Sequence, residues 1–174
     1  MDIVSNKVEI TAKRCSSPNH YQQKQNLMFD YKEIERTIKD NHLPFQKIED
    51  ADKETLMQRL YDTFVFGNPR ALWLNFKYVP YSIDCNMEDP YFHLLDIINP
   101  NIVLYFFIDY WNKDFIVYKA RMSDIYTFIG DCEGLDEYYL VTVNFMELYS
   151  ITDHDDLLYI DVRKNEMKKL ITNE

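Results

Sequence analysis

The feature that most constrains the fold is a pair of apolar segments separated by a short polar stretch. The segments are "IVLYFFID" and "FIVYKA", and "YWNKD" joins them. The apolar run from Ile102 to Ile108 is far shorter than the roughly 20 residues of a membrane-spanning helix, and it is rich in β-branched and aromatic residues, which favour strands. The sequence therefore predicts a buried β-hairpin, whose faces other elements must cover.

Those other elements follow from periodicity and from capping residues. Helical spacing predicts helices over about 27–42 and from Asp50 or Asp52 to the "GNP" sequence, with shorter ones after Asp89–Pro90 and from Ser123 to Ile129. Alternation predicts further strands in "ALWLNFKYV", "YYLVTVN", "FMELYSI" and "LLYIDV". We expect an α+β fold, with a largely antiparallel five- to six-stranded sheet packed against helices and an N-terminal helical pair.

The chain length fits one domain. Of the 174 residues, we expect 1–26 to form an N-terminal arm, 27–162 a single α+β domain and 163–174 a polar C-terminal tail. The opening "MDIVSNKVEITAKR" lacks the continuous apolar stretch of a secretion signal, so we expect a cytoplasmic protein.

The net charge of −10 is concentrated in the second half of the chain. Residues 1–87 hold 12 acidic and 12 basic side chains, whereas residues 88–174 hold 17 and 7. No Lys or Arg occurs from Met122 to Val162. Such a field repels nucleic-acid backbones and anionic membranes, and it attracts a basic protein. The acids of this window are Asp124, Asp131, Glu133, Asp136, Glu137, Glu147, Asp153, Asp155, Asp156 and Asp161.

Sequence motifs for cofactor binding or covalent catalysis are absent. Three glycines are too few for the common phosphate-binding loops, so we expect no nucleotide cofactor. The three cysteines, Cys15, Cys85 and Cys132, are widely spaced and form no CxxC pair, which predicts free thiols. We assign no catalytic residue.

The segment "SITDHDDLLYID", Ser150 to Asp161, has two readings. His154 and its acidic neighbours are potential metal ligands, but adjacent strand residues point to opposite faces, and a structural zinc site usually takes four ligands. Asp and His between two strands also suit a solvent-facing turn. We favour a turn that contacts a partner, and we predict no metal.

The part of the chain from Ile102 to Asp161 resembles small bacterial proteins found among polymorphic-toxin immunity proteins. The resemblance rests on a hairpin with a Trp-containing turn, "YWNKD", a short helix, the strand "EYYLV", and two strands around "TDHDD". It implies an α+β fold and toxin inhibition by binding. The residues that match by position are Trp111, Glu137, Tyr138, His154 and Asp155.

We therefore expect a non-enzymatic, immunity-like protein that uses an acidic and aromatic surface to bind and block a basic protein such as a toxin domain. The alternatives are a small metal-dependent hydrolase centred on His154 and an adaptor in a larger complex. The candidate partner-binding residues are Trp111, Glu133, Asp136, Glu137, Tyr138, Asp153, His154, Asp155 and Asp156.

Overall fold

A computed structural model describes residues 31–86, 88–110 and 114–165. The helices within this part are α1 (Tyr31–Asp40), α2 (Asp50–Phe64), α3 (Leu94–Ile97) and α4 (Met122–Asp131), and two 3-10 helices span Leu72–Asn75 and Pro90–His93. None of the described helices has the length and apolarity needed to cross a membrane. The expected N-terminal arm and most of the expected C-terminal tail, like Trp111, lie outside the described residues.

The described strands are β1 (Gln46–Ile48), β2 (Tyr81–Ile83), β3 (Val103–Asp109), β4 (Phe115–Arg121), β5 (Tyr138–Thr142), β6 (Glu147–Ile151) and β7 (Leu157–Asp161). They form one antiparallel sheet in the order β1-β4-β3-β5-β6-β7-β2. The predicted hairpin, β3–β4, lies inside this sheet, where Phe106 of β3 pairs with Tyr118 in β4 and with Leu140 in β5.

Helices cover both faces of the sheet, which gives the protein two apolar cores. On what we call the α4 face, Phe106 packs in one cluster with residues of α1, α3 and α4. On the α2 face, Phe107 packs with α2 and with the 3-10 helix Leu72–Asn75. Successive strand residues point to opposite faces, so a strand covered on both sides is apolar throughout. The uninterrupted apolar run in β3 has this cause.

The α+β fold and the antiparallel sheet packed against helices are confirmed, but the sheet has seven strands. The additional strands, β1 and β2, have three residues each and lie at the two edges. Their sequences, "QKI" and "YSI", are too short to establish an alternating pattern. They are strands because β4 and β7 offer them a free edge for backbone hydrogen bonds.

The prediction of a strand in "ALWLNFKYV" is wrong. Residues Leu72–Asn75 form a 3-10 helix, and Phe76 makes only an isolated bridge with Val65. The turn buries Leu72 and Phe76 and turns Leu74 outward, to 47% exposure, whereas the alternating pattern placed all three on one side. Tertiary contact decides the conformation here, because the Leu72 N–H donates to the Tyr139 hydroxyl at 3.1 Å.

The predicted cap of α4 is also wrong. The helix begins at Met122, one residue before Ser123, and it continues through Gly130 to Asp131. Carbonyl groups of the loop before β3 replace a side-chain cap, since the Met122 N–H donates to the Ile102 carbonyl at 2.9 Å and the Ser123 N–H to the Pro100 carbonyl at 3.0 Å. The fully buried Met122 then anchors the first turn in the core.

Candidate functional site

A groove of about 1190 Å³ lies on the α4 face, beside the edge strand β2. Three separate segments form its walls: the loop after β2, the loop between α4 and β5, and the turn between β6 and β7. Lys, Arg and His are all missing from the described residues that line it. The lining holds seven carboxylates, those of Asp84, Glu88, Asp89, Glu133, Asp136, Asp155 and Asp156.

The turn between β6 and β7 is built around the buried Thr152. Its hydroxyl accepts hydrogen bonds from the N–H groups of His154 and Asp156, both at 3.2 Å, and its carbonyl accepts from the Asp155 N–H at 3.0 Å. Asp155 has a φ of 61°, a left-handed conformation that Asp tolerates better than most residues. The turn therefore directs the exposed Asp155 and Asp156 into the groove.

The β2 wall is fixed by carboxylates that bind the backbone. Asp84 accepts from the Asn86 N–H at 2.9 Å, and Asp89 accepts from the Tyr91 N–H at 3.2 Å at the start of the 3-10 helix Pro90–His93. The Asp89–Pro90 helix start is thus confirmed, because Asp caps the helix and Pro occupies its first turn. These hydrogen bonds hold the two carboxylates in place while their charges face the groove.

The floor of the groove is apolar and neutral. Tyr138 and Ile151 are buried there, together with the partly exposed Cys85 and the buried Cys132. Burial raises the pKa of the Cys132 thiol to about 11, and burial together with nearby carboxylates raises that of Cys85. Burial likewise raises the pKa of Tyr138 well above its usual value. All the charge of the groove is therefore negative and lies on its rim.

Three other acids of the Met122–Val162 window form ion pairs with cations from outside it. Arg163 contacts Asp161 at 3.0 Å and Glu147 at 2.6 Å, and Arg70 contacts Asp153 at 3.3 Å. In the described part of the chain, by contrast, no ion pair involves the groove carboxylates of Asp84, Asp89, Glu133, Asp155 and Asp156. Folding thus brings these five carboxylates together without a compensating cation.

The predicted site residues are divided between the two faces of the sheet. Glu133, Asp136, Tyr138, Asp155 and Asp156 line the groove. Glu137, Asp153 and His154 are not among the lining residues. His154 instead lies edge-on to the Trp73 ring, with 5.6 Å between the ring centroids. The sequence analysis missed Asp84, Glu88 and Asp89, because they lie outside the Met122–Val162 window from which the acidic candidates were taken.

Glu137 is a buried carboxyl group on the α2 face. It is 9% exposed, and it accepts a hydrogen bond from the Tyr139 hydroxyl. Burial raises the pKa of Glu137 to about 7, and the charges of Asp109 and Asp153 add to this effect, while the Tyr139 hydrogen bond opposes it. A carboxyl group of this kind exchanges its proton near neutral pH.

Within residues 31–86, 88–110 and 114–165, no group of three or more His, Cys, Asp and Glu side chains could hold a metal ion. A family model described as a family of unknown function, DUF6756, matches residues 30–171. No curated protein and no solved structure matches the chain.

Proposed function

We propose that this protein, which belongs to the DUF6756 family of unknown function, binds a basic protein through its acidic groove and blocks that protein's activity. The observation that carries the proposal is the convergence of seven carboxylates from three chain segments on a groove without a lining cation. A field of one sign accelerates the approach of a partner of opposite charge and rejects partners of like charge.

Apolar side chains in the groove support binding beyond electrostatic attraction. The partly exposed Ile83, Tyr91 and Leu135 line the groove and offer surface from which a partner's side chain would exclude water. Desolvated contacts of this kind contribute most of the energy of an interface. The hydrogen bonds that fix Asp84, Asp89 and the β6–β7 turn reduce the entropy lost on binding. The arrangement is suited to recognition of a positively charged surface.

Inhibition of a toxin is the part of the proposal that rests on the resemblance to immunity proteins. A nuclease toxin has a positively charged cleft for its substrate, and an acidic protein bound there would exclude that substrate. The protein would act by occupying the cleft, with no covalent change. An adaptor would bind a basic partner in the same way but would not inhibit it.

The test combines capture with inhibition. The groove variant carries Glu133→Gln, Asp155→Asn and Asp156→Asn. The control variant carries Asp52→Asn, Glu54→Gln and Asp62→Asn, which remove the same charge from exposed positions on α2. We expect wild-type and control protein to retain the same basic protein from native cells, and the groove variant to lose it.

The retained protein is then purified and assayed for nuclease activity and for toxicity with and without wild-type protein. Inhibition by wild-type and control protein, but not by the groove variant, supports the proposal. Capture without inhibition supports the adaptor alternative and contradicts the blocking role. Equal capture by all three proteins contradicts the groove as the binding surface.

A further inference from the structure

The edge strand β2 has a backbone edge that no other described strand covers. It is the last strand in the sheet order, and it pairs on its inner side with β7. The two edges of the sheet differ, because β1 carries Lys47, which contacts Glu49 at 2.7 Å, and a charged edge strand resists further pairing. The sequence of β2, Tyr81–Ile83, holds no charge.

The hydrogen-bond pattern of β6 and β7 shows which groups face this free edge. The Thr152 N–H donates to the Asp156 carbonyl at 3.1 Å, and the Val162 N–H donates to the Met146 carbonyl at 2.9 Å, so the even-numbered residues of β7 bond to β6. In an antiparallel strand, the backbone N–H and C=O groups of successive residues point alternately to the neighbouring strand on one side and on the other. Leu157 and Tyr159 therefore bond to β2.

Leu157 and Tyr159 lie opposite Ile83 and Tyr81 in the register. The backbone groups of Ser82, which lies between Tyr81 and Ile83, point to the opposite side of the strand. Its N–H and C=O groups are directed away from β7, towards the free edge, and offer one donor and one acceptor to a further strand.

Three tyrosines in register form a ladder that ends at the same edge. The Tyr149 and Tyr159 rings stack with centroids 4.8 Å apart and an interplanar angle of 21°, and the Tyr159 and Tyr81 rings stack at 6.1 Å and 28°. Tyr81 is the outermost ring and is 51% exposed. A residue opposite it on an added strand would extend the ladder, and a planar guanidinium group stacks well on such a ring.

The edge and the groove are continuous, since Ser82, Ile83 and Asp84 also line the groove. We propose that an extended segment of the basic partner adds to β2 as an eighth strand, with an arginine stacked on Tyr81 and neighbouring basic side chains over the groove carboxylates. This inference rests on the proposed function and specifies how the partner binds. Strand addition supplies affinity through the backbone, and the side chains supply selectivity.

Charge favours a basic partner over a second copy of this chain at this edge. Two copies paired through β2 would place two grooves of seven carboxylates each beside one another, in a protein of net charge −10. Like charges brought together in this way oppose association. A partner segment rich in Arg would instead place positive charges beside the groove carboxylates, so this repulsion would not arise.

The test uses a synthetic peptide of four Thr-Arg repeats, measured by isothermal titration calorimetry with the full-length protein. Ser82→Pro removes the outward N–H without removing a hydrogen bond to β7, whereas Ser82→Ala keeps that N–H. We expect Ser82→Pro to weaken binding about tenfold or more and Ser82→Ala to change it less than about twofold. We expect Tyr81→Leu to weaken binding by about threefold or more.

Two further measurements keep the result independent of how well Ser82→Pro folds. A peptide with N-methyl groups along the edge that faces β2 should bind wild-type protein at least about tenfold more weakly. The Ser82 amide should exchange rapidly with solvent in the free protein and slowly with the peptide bound. Slow exchange in the free protein would show that the edge is already covered by this chain or by a second copy, and would overturn the proposal.

The failures of the two proposals are distinguishable. Equal binding by wild-type protein and Ser82→Pro, with loss of binding in the groove variant, overturns strand addition and leaves the acidic groove as the binding surface. Failure of wild-type protein to bind the peptide, while it retains its captured partner, also overturns strand addition alone. If the wild-type protein neither binds the peptide nor captures a partner, both proposals are overturned.

Discussion

The Tyr139 hydroxyl donates a hydrogen bond to the carboxyl group of Glu137 and accepts one from the Leu72 N–H. This hydroxyl links the end of β5 to the 3-10 helix Leu72–Asn75, which has no ladder hydrogen bonds to hold it on the sheet. The Tyr139 side chain thus helps to hold the segment that sequence patterning predicted wrongly, and it does so beside a carboxyl group with a raised pKa.

Glu137→Gln should make the protein more stable at alkaline pH. Folding raises the pKa of Glu137 from 4.5 to about 7, so the folded state favours the protonated form. The wild-type protein therefore loses stability as the pH rises from about 4.5 to about 7, and a neutral Gln avoids that loss. Urea unfolding should give similar free energies for both proteins at pH 5 and about 1–3 kcal/mol more for the variant at pH 8. Glu54→Gln, at an exposed position on α2, is the control, and an equal gain from it would contradict burial as the cause.

Tyr139→Phe should destabilise the protein and raise the pKa of Glu137 further. The variant leaves the buried Leu72 N–H without its partner and removes the hydrogen bond that lowers the Glu137 pKa. The free energy of unfolding should fall by about 1–3 kcal/mol, because a buried donor is left unsatisfied. The pH dependence of unfolding should shift upward, and a downward shift would contradict the assigned hydrogen bond.

Thr152→Val should loosen the β6–β7 turn. The Thr152 hydroxyl accepts hydrogen bonds from two backbone N–H groups, and Val has a similar shape without an acceptor. The loss should be about 1–2 kcal/mol of unfolding free energy, measured by urea titration. Thr152→Ser keeps the acceptor and should stay within about 0.5 kcal/mol of the wild type. Equal losses from Ser and Val would assign the effect to the methyl group instead.

Neutralising the groove should stabilise the free protein, because its carboxylates repel one another in the folded state. The triple variant Glu133→Gln, Asp155→Asn, Asp156→Asn should melt roughly 2–4 °C higher than the wild type at low ionic strength. The difference should disappear near 1 M salt, where the screening length is about 3 Å.

The α2 control variant should show no such gain, since Asp52 lies in the first turn of α2, where a negative charge is favourable. A lower melting temperature for the groove variant would show that these carboxylates serve stability. That result would remove one reason to assign them a binding role.

The sequence predicts elements well where local pattern and tertiary contact agree. The runs that became β3 and β4 are long, apolar and separated by a polar turn, and α2 begins at Asp50 and ends before the glycine of "GNP". Prediction fails where a contact distant in the chain decides, as in Leu72–Asn75, or where a short strand depends on an edge supplied by a later one, as in β2.

The candidate site was partly predictable for a related reason. Charge counting found Glu133, Asp136, Asp155 and Asp156, because they lie in a long window without cations. It also selected Asp153, which folding pairs with Arg70, a residue 83 positions away. Asp84 and Asp89 lie outside that window and join the groove because β2 pairs with β7.

The strand order has a consequence for the folding of the chain. Strand β1 pairs with residues 117–119, and β2 pairs with residues 157–159, so neither edge strand can form before these distant segments are in place. The β3–β4 hairpin closes a much shorter loop, so its formation costs less chain entropy. We expect β3, β4 and β5 to assemble first, and the edge strands to dock last and to open most readily in the native state. The edge strand that we propose for partner binding, β2, would then be one of the two strands whose backbone hydrogen bonds to the sheet break most often.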